Sequence, residues 1–146
     1  MRPGCIVQDV TAFEAEARAF AESLAPGDSG ATLITLSGDL GAGKTTFTQT
    51  VARTLGVTEP VTSPTFVLAK SYALSEQSFT RLVHIDAYRL TQGSELSALG
   101  FPEILKDTGT LIMFEWPEKI ADALPTPTVR ITLSTLPDLS RSITYA

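Results

Sequence analysis

Several things are scarce in this sequence. Cys5 is the only cysteine, so no internal disulfide can form, and without a second thiol or a ligand cluster it is read as having no special role. There is no basic run: eleven Lys and Arg face sixteen Asp and Glu, for a net charge of −5. Binding to nucleic acid rests mainly on cations that neutralise phosphates, so such a chain is a poor autonomous binder of tRNA or DNA. Any nucleic acid in its function is expected to be held by a partner. Nowhere do eighteen apolar residues run together, and the opening MRPGCIVQDV has no sustained apolar stretch of the kind a signal peptide needs. The expectation is a cytoplasmic chain with no membrane span.

What is present suits one compact domain over residues 1–146: 43% hydrophobic and 18% charged residues, with enough length for a sizeable core without disulfides or structural metal. Phe13, Ala17, Phe20, Ala21 and Leu24 fall on one helical face, and Thr11 with Glu14 has the spacing of a capping box. Thr32 to Leu36 reads as a buried strand, and Lys44 to Leu55 as a helix that Gly56 closes in the left-handed conformation. Phe66 to Tyr72 and Phe79 to Asp86 read as strands joined by a polar turn at Ser75 to Ser78. Ser94 to Leu99 and Pro102 to Lys106 read as short helices, Thr110 to Phe114 as a central strand, and Pro117 to Leu124 as a helix. The alternation of Val129, Ile131 and Leu133, then of Arg141, Ile143 and Tyr145, predicts closing antiparallel strands. The fold class is α/β, with parallel central strands flanked by antiparallel ones.

Gly38-Asp39-Leu40-Gly41-Ala42-Gly43-Lys44-Thr45 matches G-x-x-x-x-G-K-[ST] without substitution, between a predicted strand and a predicted helix. Its glycines let successive N–H groups point inward as an anion nest at a helix N-terminus. Lys44 can neutralise the β- and γ-phosphates, and the Thr45 hydroxyl can ligate magnesium. No Asn-Lys-x-Asp run reads guanine, so ATP is the expected nucleotide. A P-loop nucleoside triphosphatase also needs a carboxylate at the tip of a neighbouring strand to anchor magnesium, directly or through water. Four apolar residues lead to Glu115, which makes it the better magnesium anchor. Leu82-Val83-His84-Ile85 leads to Asp86, which would act through water. His84 is read as a packed strand residue.

Four stretches in order, Gly38 to Phe47, Ser63-Pro64-Thr65-Phe66, His84-Ile85-Asp86-Ala87-Tyr88-Arg89-Leu90 and Glu115-Trp116-Pro117-Glu118, resemble the successive motifs of the TsaE (YjeE) family. The resemblance covers most of the chain. It implies a P-loop NTPase-like three-layer sandwich and a magnesium-dependent ATPase. It further implies a role in threonylcarbamoyladenosine modification of ANN-decoding tRNAs, with the TsaB–TsaD pair as partner and tRNA contacted only indirectly. The implied nucleotide contacts are Gly38, Gly41, Ala42, Gly43, Lys44, Thr45 and Thr46, with Glu14 and Arg141 nearby. Thr45 and Glu115 would hold magnesium, Asp86 would be needed for hydrolysis, and Thr65 would sense the γ-phosphate from a switch-like loop. The family usually has Gly-Arg near its end, where this chain has Ser140-Arg141. Trp116 is placed either over the magnesium site or in the core. The alternatives are a small P-loop metabolite kinase, against which the scattered Arg53, Arg81, Arg89 and Arg130 speak, and a module holding ADP without turnover.

Overall fold

A computed structural model describes residues 2–62 and 69–146. The elements in chain order are β1 (Cys5–Val7), α1 (Val10–Ser23), β2 (Thr32–Ser37), α2 (Lys44–Thr54), β3 (Ala69–Ala73), β4 (Arg81–Asp86), α3 (Ser94–Ala98), α4 (Phe101–Ile104), β5 (Thr110–Glu115), a 3-10 segment (Pro117–Ala123), β6 (Val129–Thr135) and β7 (Arg141–Tyr145). The strands form one sheet in the order β1-β7-β6-β2-β5-β4-β3. β4, β5, β2 and β6 run parallel, while β3, β7 and β1 join antiparallel at the two sides.

The central strands are apolar on both faces because both faces are covered, as parallel sheets require. On one side Ile34, Leu36, Leu111 and Met113 meet Phe13, Ala17 and Phe20 of α1 and Phe47 and Val51 of α2. On the other, Leu33, Val83, Ile85, Ile112 and Phe114 meet Leu96, Phe101 and Ile120. The result is the expected three-layer α/β sandwich. Fully burying a side chain such as Phe47, 0% exposed, contributes roughly 1.5–3 kcal/mol, and its rings meet Phe13 at 5.9 Å edge-on and Phe20 at 5.6 Å.

Local chemistry sets the ends of α2. Gly56 has φ 93°, Gly56 N–H donates to Arg53 O at 3.1 Å and Val57 N–H donates to Ala52 O at 3.0 Å, a Schellman closure at the predicted glycine. Three expectations need correction. α1 is capped by Asp9, whose Oδ1 accepts from Ala12 N at 2.8 Å, not by a Thr11–Glu14 box, so both of those residues lie inside the helix. Pro117–Ala123 is 3-10 rather than α, because Ile120 breaks it at φ −141°, ψ 39°. β1 was not expected; three residues are too few to show a period, and it exists through its pairing with β7. The predicted strand from Phe66 lies partly outside the described residues, which take it up at Ala69.

Candidate functional site

The carboxyl ends of β2, β4 and β5 come side by side, and each is followed by a motif of the sequence. The β4–β5 register puts Asp86 opposite Glu115, and that of β2–β5 puts Leu36 opposite Glu115. The ladder continues beyond the tips: Ala87 N–H donates to Glu115 O at 3.0 Å and Trp116 N–H to Leu36 O at 3.1 Å. Ligands of open α/β sheets bind at this end of the strands.

The loop from Gly38 to Gly43 turns β2 into α2. Gly38 and Gly43 have φ of 151° and 109°; a Cβ on Gly38 would lie 2.4 Å from Leu133 O, and one on Gly43 would lie 2.8 Å from the Phe13 ring. Neither position tolerates a side chain. Lys44, 5% exposed, donates from Nζ to Gly38 O at 2.5 Å and to Asp39 O at 2.9 Å. Burial pushes its ammonium below the ordinary lysine value, outweighing the opposing pull of the Glu115, Glu118, Asp86 and Asp39 carboxylates. The Trp116 ring lies over Nζ at 4.1 Å and meets Tyr88 at 5.0 Å. Trp116 itself has φ 62°, ψ 51°, immediately before Pro117, a left-handed conformation that costs a non-glycine residue roughly 1–2 kcal/mol. The two ring contacts offset that cost. Trp116 is thus placed over the loop lysine.

Glu115 is the most enclosed acid of the group, 2% exposed. The Thr45 hydroxyl donates to its Oε1 at 3.0 Å, and His84 Nε2 meets its Oε2 at 2.5 Å. Asp86 is half-buried, and its Oδ1 accepts from Tyr88 N at 3.0 Å. A cleft of about 240 Å³ opens on the other side of the loop, lined by Val7 to Val10, Phe13, Gly41, Gly43, Thr46, Leu139 and Arg141. Arg141 donates to Gly41 O at 3.3 Å and to Leu139 O at 3.0 Å, which ties the C-terminal strand to the loop.

The model of a family described as "Threonylcarbamoyl adenosine biosynthesis protein TsaE" matches residues 7–143. The chain belongs to the TsaE family. Among relatives, the tRNA threonylcarbamoyladenosine biosynthesis protein TsaE of Bacillus subtilis (strain 168) is 40% identical over 120 residues, 82% of this chain and 70% of that one. The protein of the same name from Treponema pallidum (strain Nichols) is 40% identical over 114 residues, 78% and 81% of the two chains. A solved structure titled as Bacillus subtilis YdiB superposes with a TM-score of 0.69 at 32% identity, covering 99% of this chain and 86% of that one. Membership makes this chain an ATP-hydrolysing enzyme of threonylcarbamoyl adenosine biosynthesis and removes the metabolite-kinase alternative.

In this TsaE-family chain the structure brings Gly38, Gly41, Ala42, Gly43, Lys44, Thr45, Thr46, Glu115, Asp86 and Arg141 to one end of the sheet. It carries Glu14 elsewhere: its carboxylate accepts from Arg53 at 3.1 Å, and it is not among the residues lining the cleft. Thr65 lies outside the described residues. Among the described residues no three His, Cys, Asp or Glu side chains gather to hold a metal on their own. One carboxylate and one hydroxyl suit magnesium, which takes few protein ligands and completes its shell with phosphate and water. Sequence reasoning missed the contact of His84 with Glu115. The alternation of β4 places His84 and Asp86 on one face, yet only the pairing with β5 puts Glu115 on that same face. No described helix is long and apolar enough to cross a membrane.

Proposed function

We propose that this chain, as one ATPase domain, binds ATP with magnesium at residues 38–45 and hydrolyses it by in-line attack of water on the γ-phosphate. The hydrolysis serves threonylcarbamoyladenosine formation on ANN-decoding tRNAs together with the TsaB–TsaD complex. The bond from Thr45 to Glu115 carries this reading, because it couples the phosphate loop to the tip of a neighbouring strand. A hydroxyl whose proton is committed to a carboxylate turns its lone pairs toward a cation. Thr45 and Glu115 would hold magnesium, which when bound neutralises charge on the phosphate oxygens. Lys44 exchanges its two carbonyl partners for the β- and γ-phosphates, where the opposite charge counters the burial that weakens the ammonium. Asp86, at the adjacent and more open tip, orients the attacking water. Thr65 senses the γ-phosphate. Gly38, Gly41, Ala42 and Gly43 supply the amide nest, and Thr46 and Arg141 flank the nucleoside in the cleft beside Phe13. Glu14 joins them only if the helix-side pair with Arg53 opens.

The net charge of −5 supports an indirect relation to tRNA, with the partner complex holding the nucleic acid. ATPase rates measured with and without TsaB–TsaD test the reading: slow turnover alone and stimulation by the pair are expected, and equal rates count against the regulatory part. Lys44→Ala is expected to lower hydrolysis by about 10²–10³-fold with the fold intact. Unchanged hydrolysis in that variant would remove the loop from the reaction.

A further inference from the structure

Packing alone does not explain a histidine at position 84. The side chain is 0% exposed, and its Nδ1 has no hydrogen-bond partner among the described residues. A buried polar atom left unsatisfied destabilises the fold, a cost that a leucine or phenylalanine in the same layer as Leu82 and Met113 would avoid. The ring's other nitrogen meets Glu115 Oε2 at 2.5 Å. A carboxylate oxygen accepts, so in this contact Nε2 is the donor. Enclosed on every side, Nδ1 cannot reach an attacking water, so the ring is not the base of the reaction.

We propose that His84 is a positioning residue: its Nε2–H pins one oxygen of Glu115 so that the carboxylate presents itself to Thr45 and to the magnesium of the bound nucleotide in a single orientation. The inference rests on the reading of Glu115 as metal anchor given above. Strand geometry makes it possible. His84 pairs with Met113 and Asp86 with Glu115, so on the shared face His84 sits one strand over and one step down from the acid it holds. Both residues lie on central strands, the least mobile support the fold offers. Thr45 engages the carboxylate from the α2 side at 3.0 and 3.3 Å, so the acid is gripped between a strand and a helix. Partners that orient a metal ligand typically govern affinity for the metal by 10–100-fold when lost.

The test uses the fact that His84 is the only histidine in the chain. Long-range ¹⁵N–¹H correlation on the unmodified protein reads one imidazole, and the Nε2–H tautomer is expected, with its signal moving in Glu115→Gln. An Nδ1–H tautomer, or a signal indifferent to Glu115→Gln, overturns the proposal without any variant of His84. Calorimetric titration of ADP in EDTA and in magnesium then compares two substitutions. His84→Phe keeps the ring volume without the donor; it is expected to raise the magnesium half-saturation of the ADP-bound protein by about 10–100-fold, with ADP affinity in EDTA unchanged. His84→Gln restores an N–H at the same reach and is expected to return most of the magnesium affinity. If both variants lose thermal stability alike while magnesium affinity holds, the histidine is structural and the proposal fails. If Glu115→Gln leaves magnesium affinity unchanged, the anchor reading itself falls; if Glu115→Gln weakens it and His84→Phe does not, only the positioning role falls.

Discussion

On the face of the sheet covered by α3, α4 and the 3-10 segment, Leu33, Val83, Ile85, Ile112 and Phe114 share their side of the strands with the buried hydroxyls of Thr35 and Thr110 and, among the described residues, with no buried charged side chain. On the face under α1 and α2 the same strands bury His84 and Glu115, and α2 buries Lys44. Burying a charge costs several kcal/mol unless it is paired, so the second face spends stability on placing groups. The first is free to supply stability from packing alone. Chemistry and cohesion are thereby assigned to opposite sides of strands that alternate between them residue by residue: Phe114 serves one side and Glu115 the other.

The division predicts that neighbouring residues fail in different ways. Phe114→Ala should give the largest effect, about 3–5 kcal/mol of lost stability in denaturant titration, since it empties a fully buried site; nucleotide affinity of the remaining folded protein should hold. Glu115→Gln should do the reverse, lowering magnesium-dependent hydrolysis by about 10²–10³-fold, roughly 2.7–4 kcal/mol at the transition state, with a near-native denaturation midpoint. A large loss of stability in Glu115→Gln would break the comparison. Asp86→Asn sharpens it within one face. This acid is half-buried and its neighbour enclosed, so the variant should lower kcat by about 10²-fold and leave the magnesium half-saturation in place.

The smallest effect is expected at the far edge of the same face. Arg2 and Tyr145 donate to Glu16 at 3.0 and 2.9 Å. Burial pushes the Glu16 carboxyl up, but those hydrogen bonds and the Arg2 charge outweigh it and hold it below its ordinary value of 4.5. A depressed carboxyl stabilises the fold above its unfolded pKa, and that contribution is lost as pH falls through the folded one. Glu16→Gln should therefore cost at most about 1 kcal/mol near neutral pH, and the two proteins should converge in stability below the ordinary carboxylate range. A gap that persisted in acid would mean that packing, not charge, holds this edge.

The central strands, both long helices and the loop were legible because each rests on local rules: a continuous apolar run, a helical stripe, a glycine pattern. Gly56 closed α2 where expected for the same reason. β1 was not legible, since three residues carry no period and the strand depends on β7, more than a hundred residues away. The cap of α1 was misread because two spacings competed and Asp9 reaches Ala12 N–H before Thr11 can act. Motif and strand tip also placed Lys44, Thr45 and Glu115 at one end of the sheet, where the structure has them. Glu14 did not come with them to the cleft, because a helical register fixes which residues share a face but not which partner that face meets.

Composition and pattern by themselves determined an acidic α/β chain with a glycine-rich loop between strand and helix and two acids at strand tips, for those properties are written in neighbouring residues. Only the tertiary structure decided that the two acids stand side by side, that one is sealed and the other open, and that a histidine from the next strand grips the sealed one. Such facts depend on which strands pair and in what register, and pairing is settled by the packing of the whole sheet against its helices.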